Sequence, residues 1–391
     1  MNVAKRLGNA DISPNGARAV FQARGEILTV PAEKGDPRNL TNSAGVFERS
    51  PVWSPDGTSI ACFSDESGEY ALHVRDQSGL GPVKKIALGD KPAFYLAPAW
   101  SPDSKKIAYL DNLGGLWYLD LEAKKPVRVD TDHYLSLGGM AAVWSPDSKW
   151  LAYARTLKSF MSAIHLYSLD AAKSTQVTDG MSDATQPVFD RGGKFLYFAA
   201  STDSGPAMEF DLSSAVRQVT RSLYLIVLSK EEKSPFLPES DDEKIEEAKK
   251  DEAKTGEAKK DEKGKTPEIP PVRIDFDGIG QRILALPMPP KMYAGLQAGK
   301  AGTLFALEAA VPREGPPMLT VHRFDLAKRK SDAPLAGVNG FRVSFGGEKV
   351  LYRKGDDWTI AALPPMADGP GGPPPAADGK GALKTGGLQV R

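Results

Sequence analysis

The sequence predicts an all-β fold: a seven-bladed β-propeller of four-stranded antiparallel blades with one charged insertion. Three observations carry this. The pentapeptides Trp53-Ser54-Pro55-Asp56-Gly57, Trp100-Ser101-Pro102-Asp103-Ser104 and Trp144-Ser145-Pro146-Asp147-Ser148 recur with intervals of 47 and 44 residues between their tryptophans. A period of that size marks an array of identical supersecondary units. Each pentapeptide leads into an alternating strand: Ser59 to Ser64, Lys106 to Leu110, and Lys149 to Ala154. Further short strands follow in each unit, and four strands in about 40–50 residues is the pattern of a propeller blade.

The motif has mechanical sense at a tight turn. Proline presets φ, aspartate bonds its own backbone two residues on, and glycine or serine relaxes the exit. Glu66-Ser67-Gly68-Glu69 and Asn112-Leu113-Gly114-Gly115 supply the next turn, and Ala71 to Val74, Gly115 to Tyr118 and Ala163 to Leu166 the next strand. Val127 to Val129 and Thr175 to Val177 read as closing strands.

Degenerate copies extend the array. Ile12-Ser13-Pro14-Asn15-Gly16 lies 41 residues before Trp53, and Phe189-Asp190-Arg191-Gly192-Gly193 begins 45 residues after Trp144. Ile283 to Leu286, Thr303 to Leu307 and Leu319 to Phe324 read as strands of a sixth blade. Val343-Ser344-Phe345-Gly346-Gly347, Lys349 to Tyr352 and Trp358 to Ile360 make a seventh. The expected blades are 11–46, 47–93, 94–137, 138–182, 183–229, 272–337 and 338–364.

Residues 230–271 differ in kind. Glu239 to Lys265 holds 11 acidic and 8 basic residues, with Ile245 its only large apolar one, so it cannot bury a face and reads as a solvated insertion. Residues 365–391 read as a Pro/Gly-rich linker leading out of the domain.

Composition excludes several function classes. Lysine plus arginine and aspartate plus glutamate are equal at 50 each, so no global field favours nucleic acid or anionic lipid. No apolar run approaches the length of a membrane span, and Met1 to Ala10 lacks the hydrophobic core of a signal peptide. Cys62, the only cysteine, sits in the apolar run Ile60 to Phe63 and reads as a buried small hydrophobe.

No catalytic constellation, cofactor site or metal site is expected. His73, His165 and His322 occupy one register in their blades, with Trp117 the equivalent in the third. Repeat-equivalent residues spread around the axis and do not converge on a metal. His133 stands alone in a loop, and one histidine makes neither a metal site nor a triad. Gly180-Met181-Ser182-Asp183-Ala184 resembles a nucleophile elbow on paper, but that chemistry needs a strand-to-helix turn and here a strand follows. Gly278-Ile279-Gly280 lacks the third glycine of a dinucleotide loop, and Asp275 to Gly278 lacks the remaining ligands of a calcium loop. Each Ser-Pro-Asp aspartate belongs to its own turn, too far from the others to share a proton.

Between the motif copies the sequence is more specific. Ala17 to Phe21, Lys34 to Thr41, Ser64 to Tyr70, Thr178 to Ala184 and Ser234 to Glu243 resemble the second, seven-bladed propeller of tricorn-type serine peptidases. The resemblance runs across essentially the whole chain, more specifically in 17–243 than after 272. It implies a non-catalytic propeller that acts as a gated channel or scaffold for peptides. It also implies PDZ and catalytic domains further along the polypeptide and a large homo-oligomer. No catalytic motif of the family has a matching position here, so the chain alone is expected to be inactive. Loops on a rigid scaffold commonly meet ligands, which makes Arg49, Tyr95, His133 and Asp183 candidates for channel or face contacts. The expected compartment is the cytoplasm, or the periplasm if the parent chain carries an upstream signal. A TolB-like interaction module is the alternative reading.

Overall fold

Each motif copy folds into one turn held by its own serine. The Ser54 amide donates to the Ser59 carbonyl at 2.9 Å, and the Gly57 amide to the Ser54 carbonyl at 2.9 Å. Ser54 Oγ accepts the Ser59 amide at 2.9 Å and donates to Asp56 Oδ1 at 2.6 Å. The same five-residue closure recurs from Ser101 to Lys106 and from Ser145 to Trp150. It also recurs in the degenerate copies, from Ser13 to Arg18, Asp190 to Phe195 and Ser344 to Lys349. The sixth blade closes a shorter turn from Gly299 to Thr303, which is why no motif copy marks it.

The fifth motif residue is left-handed in every copy, with φ of +76° at Gly57, +58° at Ser104 and +61° at Ser148. Glycine adopts this freely and serine does not. The serines offset the strain by bonding the preceding blade: Ser104 Oγ accepts the Asp56 amide and Ser148 Oγ the Asp103 amide, each at 3.0 Å. The tryptophans add a second clip, because Trp100 Nε1 donates to Val52 O at 3.2 Å and Trp144 Nε1 to Ala99 O at 2.9 Å. The repeat thus joins blades as well as forming turns.

The computed structural model describes residues 1–89, 91–134, 140–201, 219–238, 271–310, 318–366 and 381–390. They form seven antiparallel sheets. The first blade holds strands Gly8–Ile12, Arg18–Ala23, Glu26–Pro31 and Arg38–Asn39; the second, Glu48–Trp53, Ser59–Ser64, Ala71–Asp76 and Lys84–Ala87. The third is Tyr95–Trp100, Lys106–Asp111, Gly115–Asp120 and Pro126–Thr131; the fourth, Val143–Trp144, Trp150–Thr156, Ser162–Ser168 and Lys173–Gln176. The fifth is Asp183–Phe189, Phe195–Ser201, Ser222–Val227 and Ile283–Ala285; the sixth, Tyr293–Ala298, Thr303–Ala310, Met318–Asp325 and Lys330–Val338. The seventh is Gly340–Val343, Lys349–Lys354 and Asp357–Ala362.

The first strand of each blade touches the first strand of the next, and that of the seventh touches that of the first, so seven inner strands surround an axis. Seven buried apolar clusters fill the seven blade interfaces. Phe63, Tyr95 and Tyr109, for example, join the second and third blades. Among the described residues, no helix is long and apolar enough to cross a membrane.

The structure differs from the sequence reading in two places. Ile283–Ala285 pairs with Ser222–Val227 and closes the fifth blade instead of opening the sixth, whose inner strand is Tyr293–Ala298. The charged insertion therefore falls within the fifth blade, between its third and fourth strands. Its residues 239–270 lie outside the described residues, while its flanks are tied down: Asp275 N–H donates to Leu228 O at 3.0 Å and Lys230 N–H to Asp275 Oδ2 at 2.8 Å.

Second, part of the segment read as an outgoing linker is packed. Ala382 bridges to Thr359 beside the third strand of the seventh blade, and Gln389 bridges to Asn2. Leu383, Leu388 and Val390 are buried with Val3 and Leu7 between the seventh and first blades. Three well-spaced aliphatics in a glycine-rich stretch suffice to anchor it. Residues 367–380 and 391 of that segment lie outside the described residues.

Candidate functional site

Because every blade runs up and down, the connectors into the first strands and the turns after the second strands share one face. The motif turns lie on the other. At the axis, each first strand is a sheet edge, and edges expose backbone groups that need partners. Side chains from neighbouring blades supply several. Asp11 Oδ2 accepts the Trp53 amide at 2.8 Å, and Gln186 Nε2 donates to Tyr293 O at 3.2 Å. Gln297 both donates to Phe341 O and accepts the Val343 amide, each at 3.0 Å. Burial raises the Asp11 carboxyl's pKa, opposed by the Trp53 amide and the Arg342 charge.

These edge strands are bulged at matching places. Asn9, Ser50, Ala97 and Gln186 have φ of +43°, +53°, +49° and +56°, each beside a break in strand register. A non-glycine residue held there costs about 1–3 kcal/mol, so the recurrence in four blades reflects the architecture. Asn9, Leu96, Ala97, Ala294 and Arg342 are the exposed positions of the inner strands, with Asp11, Ser50 and Gln186 half-buried. Among the described residues, most of these positions are uncharged, with Arg342 the one exposed charge and Asp11 a half-buried one. No glycine marks these bulges in the sequence, so nothing in the residue pattern announces them.

The four residues singled out from sequence all sit toward the face opposite the motif turns. Two of them meet. Arg49 is buried, donates to Tyr95 O, and stacks its guanidinium 3.3 Å from the Phe94 ring centroid and 5.0 Å from that of Tyr70. Burial lowers the Arg49 pKa and raises that of Tyr95. Asp183 is buried, pairs with Arg221 at 2.7 Å and accepts the Ser162 amide at 3.0 Å. His133 is exposed. The sequence reading missed Phe94 and the exposed pair Tyr134 and Phe160, whose rings lie 5.1 Å apart on the same face.

The repeat-register histidines are tied to their own blades. His73 is fully buried 3.8 Å from Glu66, and burial lowers its pKa to about 4. His165 stacks on Tyr153, and His322 Nε2 lies 2.7 Å from Glu308. Ser182 precedes the strand Asp183–Phe189 and no helix follows it. The motif aspartates are held in their own turns by Ser54, Ser101 and Ser145.

Fold and axis together define a closed seven-bladed propeller built on Ser-Pro-Asp turns. Residues 7–364 match the family described as the tricorn protease second beta propeller domain, and the chain belongs to that family. It is 26% identical over 393 residues to tricorn protease homolog 1 of Streptomyces coelicolor, covering 93% of this chain and 34% of that protein. The crystal structure of the tricorn protease superposes with a TM-score of 0.69 at 17% identity, over 93% of this chain and 33% of that one. TolB from Acinetobacter baumannii reaches a TM-score of only 0.43 at 14% identity, over 82% of this chain and 61% of that one. The chain therefore spans about a third of the length of the tricorn relatives it matches.

Proposed function

We propose that this chain is the non-catalytic propeller of a tricorn-type serine peptidase, a channel and scaffold through which peptides move to or from catalytic domains elsewhere in the polypeptide. The assembly is a homo-oligomer in the cytoplasm, or in the periplasm if the parent chain carries an upstream signal. The observation that carries this reading is the inner strands of the ring, whose exposed positions among the described residues carry one charge, Arg342, and sit on bulged strand edges. An unstructured peptide of any sequence meets little there that would trap it by charge. On the outer face, the Arg49–Phe94 stack and His133 are the proposed contacts, with Tyr95 and Asp183 holding that rim in place.

Thiol cross-linking tests peptide occupancy of the axis. Cys62 is buried and burial pushes its pKa up to about 12, so a thiol introduced at Ala97→Cys is the reactive one. An unstructured peptide carrying a maleimide is expected to label A97C in a manner competed by unlabelled peptide. The control Ala123→Cys, in an outer turn, should label without competition. Competition absent at A97C defeats the channel reading.

A further inference from the structure

A cavity of about 350 Å³ lies between the first and second blades on the motif-turn face. It is lined by Arg18, Trp53, Asp56 and Gln77, with Pro14 and Asn15 among the rest. That volume sits at the small end of natural ligand pockets.

The cavity carries two opposite charges that do not neutralise each other. Arg18 makes its hydrogen bonds only to neutral groups: Thr29 Oγ1 at 3.1 Å, Thr29 O at 3.4 Å and Asp36 O at 2.9 Å. Its Nε is buried without a partner, and among the described residues no carboxylate lies within ion-pair distance of it. Asp56 receives Ser54 Oγ, the Thr58 amide and Thr58 Oγ1, all on Oδ1. Burial opposes its ionisation, but these bonds outweigh burial and hold the carboxyl below its usual range.

The second oxygen of Asp103 is taken by Lys106 at 2.9 Å, and that of Asp147 by the Val272 amide at 2.8 Å. At Asp56 no protein donor among the described residues takes that place. In the first blade the equivalent residue is Asn15, so the cavity holds one carboxylate and not two. Trp53 and Pro14 add an apolar wall.

We propose that this cavity binds a small zwitterion, a free α-amino acid or a dipeptide, with its carboxylate on Arg18, its ammonium on Asp56 Oδ2 and its side chain against Trp53. Each charge is then met by a charge-assisted hydrogen bond, about twice as strong as a neutral one.

Isothermal titration calorimetry of the chain with L-leucine and with alanyl-leucine tests it. At least one zwitterion should bind saturably at millimolar concentration or tighter, and N-acetylation or C-amidation should each weaken binding about tenfold or more. Leucine alone binding identifies a free amino acid as the ligand, and the dipeptide alone a peptide. Arg18→Gln and Asp56→Asn should each lose the same tenfold or so while keeping the thermal transition. The idea is overturned if neither zwitterion binds, if capped and uncapped ligands bind alike, or if both folded variants bind as the unaltered chain does. The capped ligands keep the test valid should either variant fail to fold.

Discussion

Leu388→Ala probes the closure of the ring between its seventh and first blades. Leu388 is 4% exposed and packs with Leu383, Val390, Val3 and Leu7. Its neighbour Val3 donates its amide to the Leu388 carbonyl at 3.1 Å, so the side chain and backbone hold the same contact. Leu→Ala in a packed interior costs about 2–5 kcal/mol, and a site flanked by exposed glycines relaxes enough to fall toward the lower part of that range, about 2–3 kcal/mol. The unfolding entropy is about 2.1 cal/mol/K per residue. Over 391 residues that gives about 0.8 kcal/mol/K, so the expected drop in Tm is about 3 °C. Differential scanning calorimetry at fixed pH reads this directly. Lys384→Ala, four residues earlier and exposed, should leave Tm unchanged. Equal Tm values for both variants and the unaltered chain would refute the packed clasp and restore an outgoing linker.

Three further outcomes follow from the same contacts. Trp144→Phe removes the indole donor to Ala99 O and shrinks a buried ring, and urea unfolding should show a loss of about 1–3 kcal/mol. His73 is held neutral by burial with a pKa near 4, below its unfolded value. The unfolded chain therefore takes up the proton first as pH falls from about 6.5 toward 4, and stability declines across that window by up to about 3 kcal/mol. His73→Gln should flatten that stretch of the stability–pH profile, and an unchanged slope would assign it to other groups. Deleting Glu239–Lys265 should leave Tm and the circular dichroism spectrum unchanged, and a large loss of stability would show that the segment packs against the blades.

The blade number was legible because the Ser-Pro-Asp turn states its own chemistry: serine, proline and aspartate have few other reasons to recur at that spacing. Ser344 and Asp190 show how far the signal stretches, since both close the same turn without the full motif. It fails where the turn itself changes, at Gly299 to Thr303, and there the inner strand Tyr293–Ala298 went unread. Ile283–Ala285 reads as part of the sixth blade because an insertion between two paired strands looks, in sequence, like one between blades. The clasp was hidden by composition: glycine and proline surround Leu383, Leu388 and Val390, and only the partner surface tells their burial apart from a linker's scattered aliphatics. The axis was least legible of all. Ser50, Ala97 and Gln186 adopt left-handed conformations that their residue types do not advertise, unlike Asn9, and the tertiary closure of seven edges imposes them. The contact between Arg49 and Tyr95, and the Phe94 ring beneath the guanidinium, depend on two blades meeting and leave no sign in the sequence.

The most direct measurement of the central claim is peptide hydrolysis by a polypeptide joining this propeller to tricorn-type catalytic domains, with the axis narrowed by Ala97→Trp and Ala294→Trp. Both positions are exposed on inner strands of separate blades, so the added rings project into open space. Hydrolysis of long unstructured peptides should fall while that of a small fluorogenic substrate stays the same. Undiminished cleavage of long peptides by a correctly folded double variant would contradict passage through the axis.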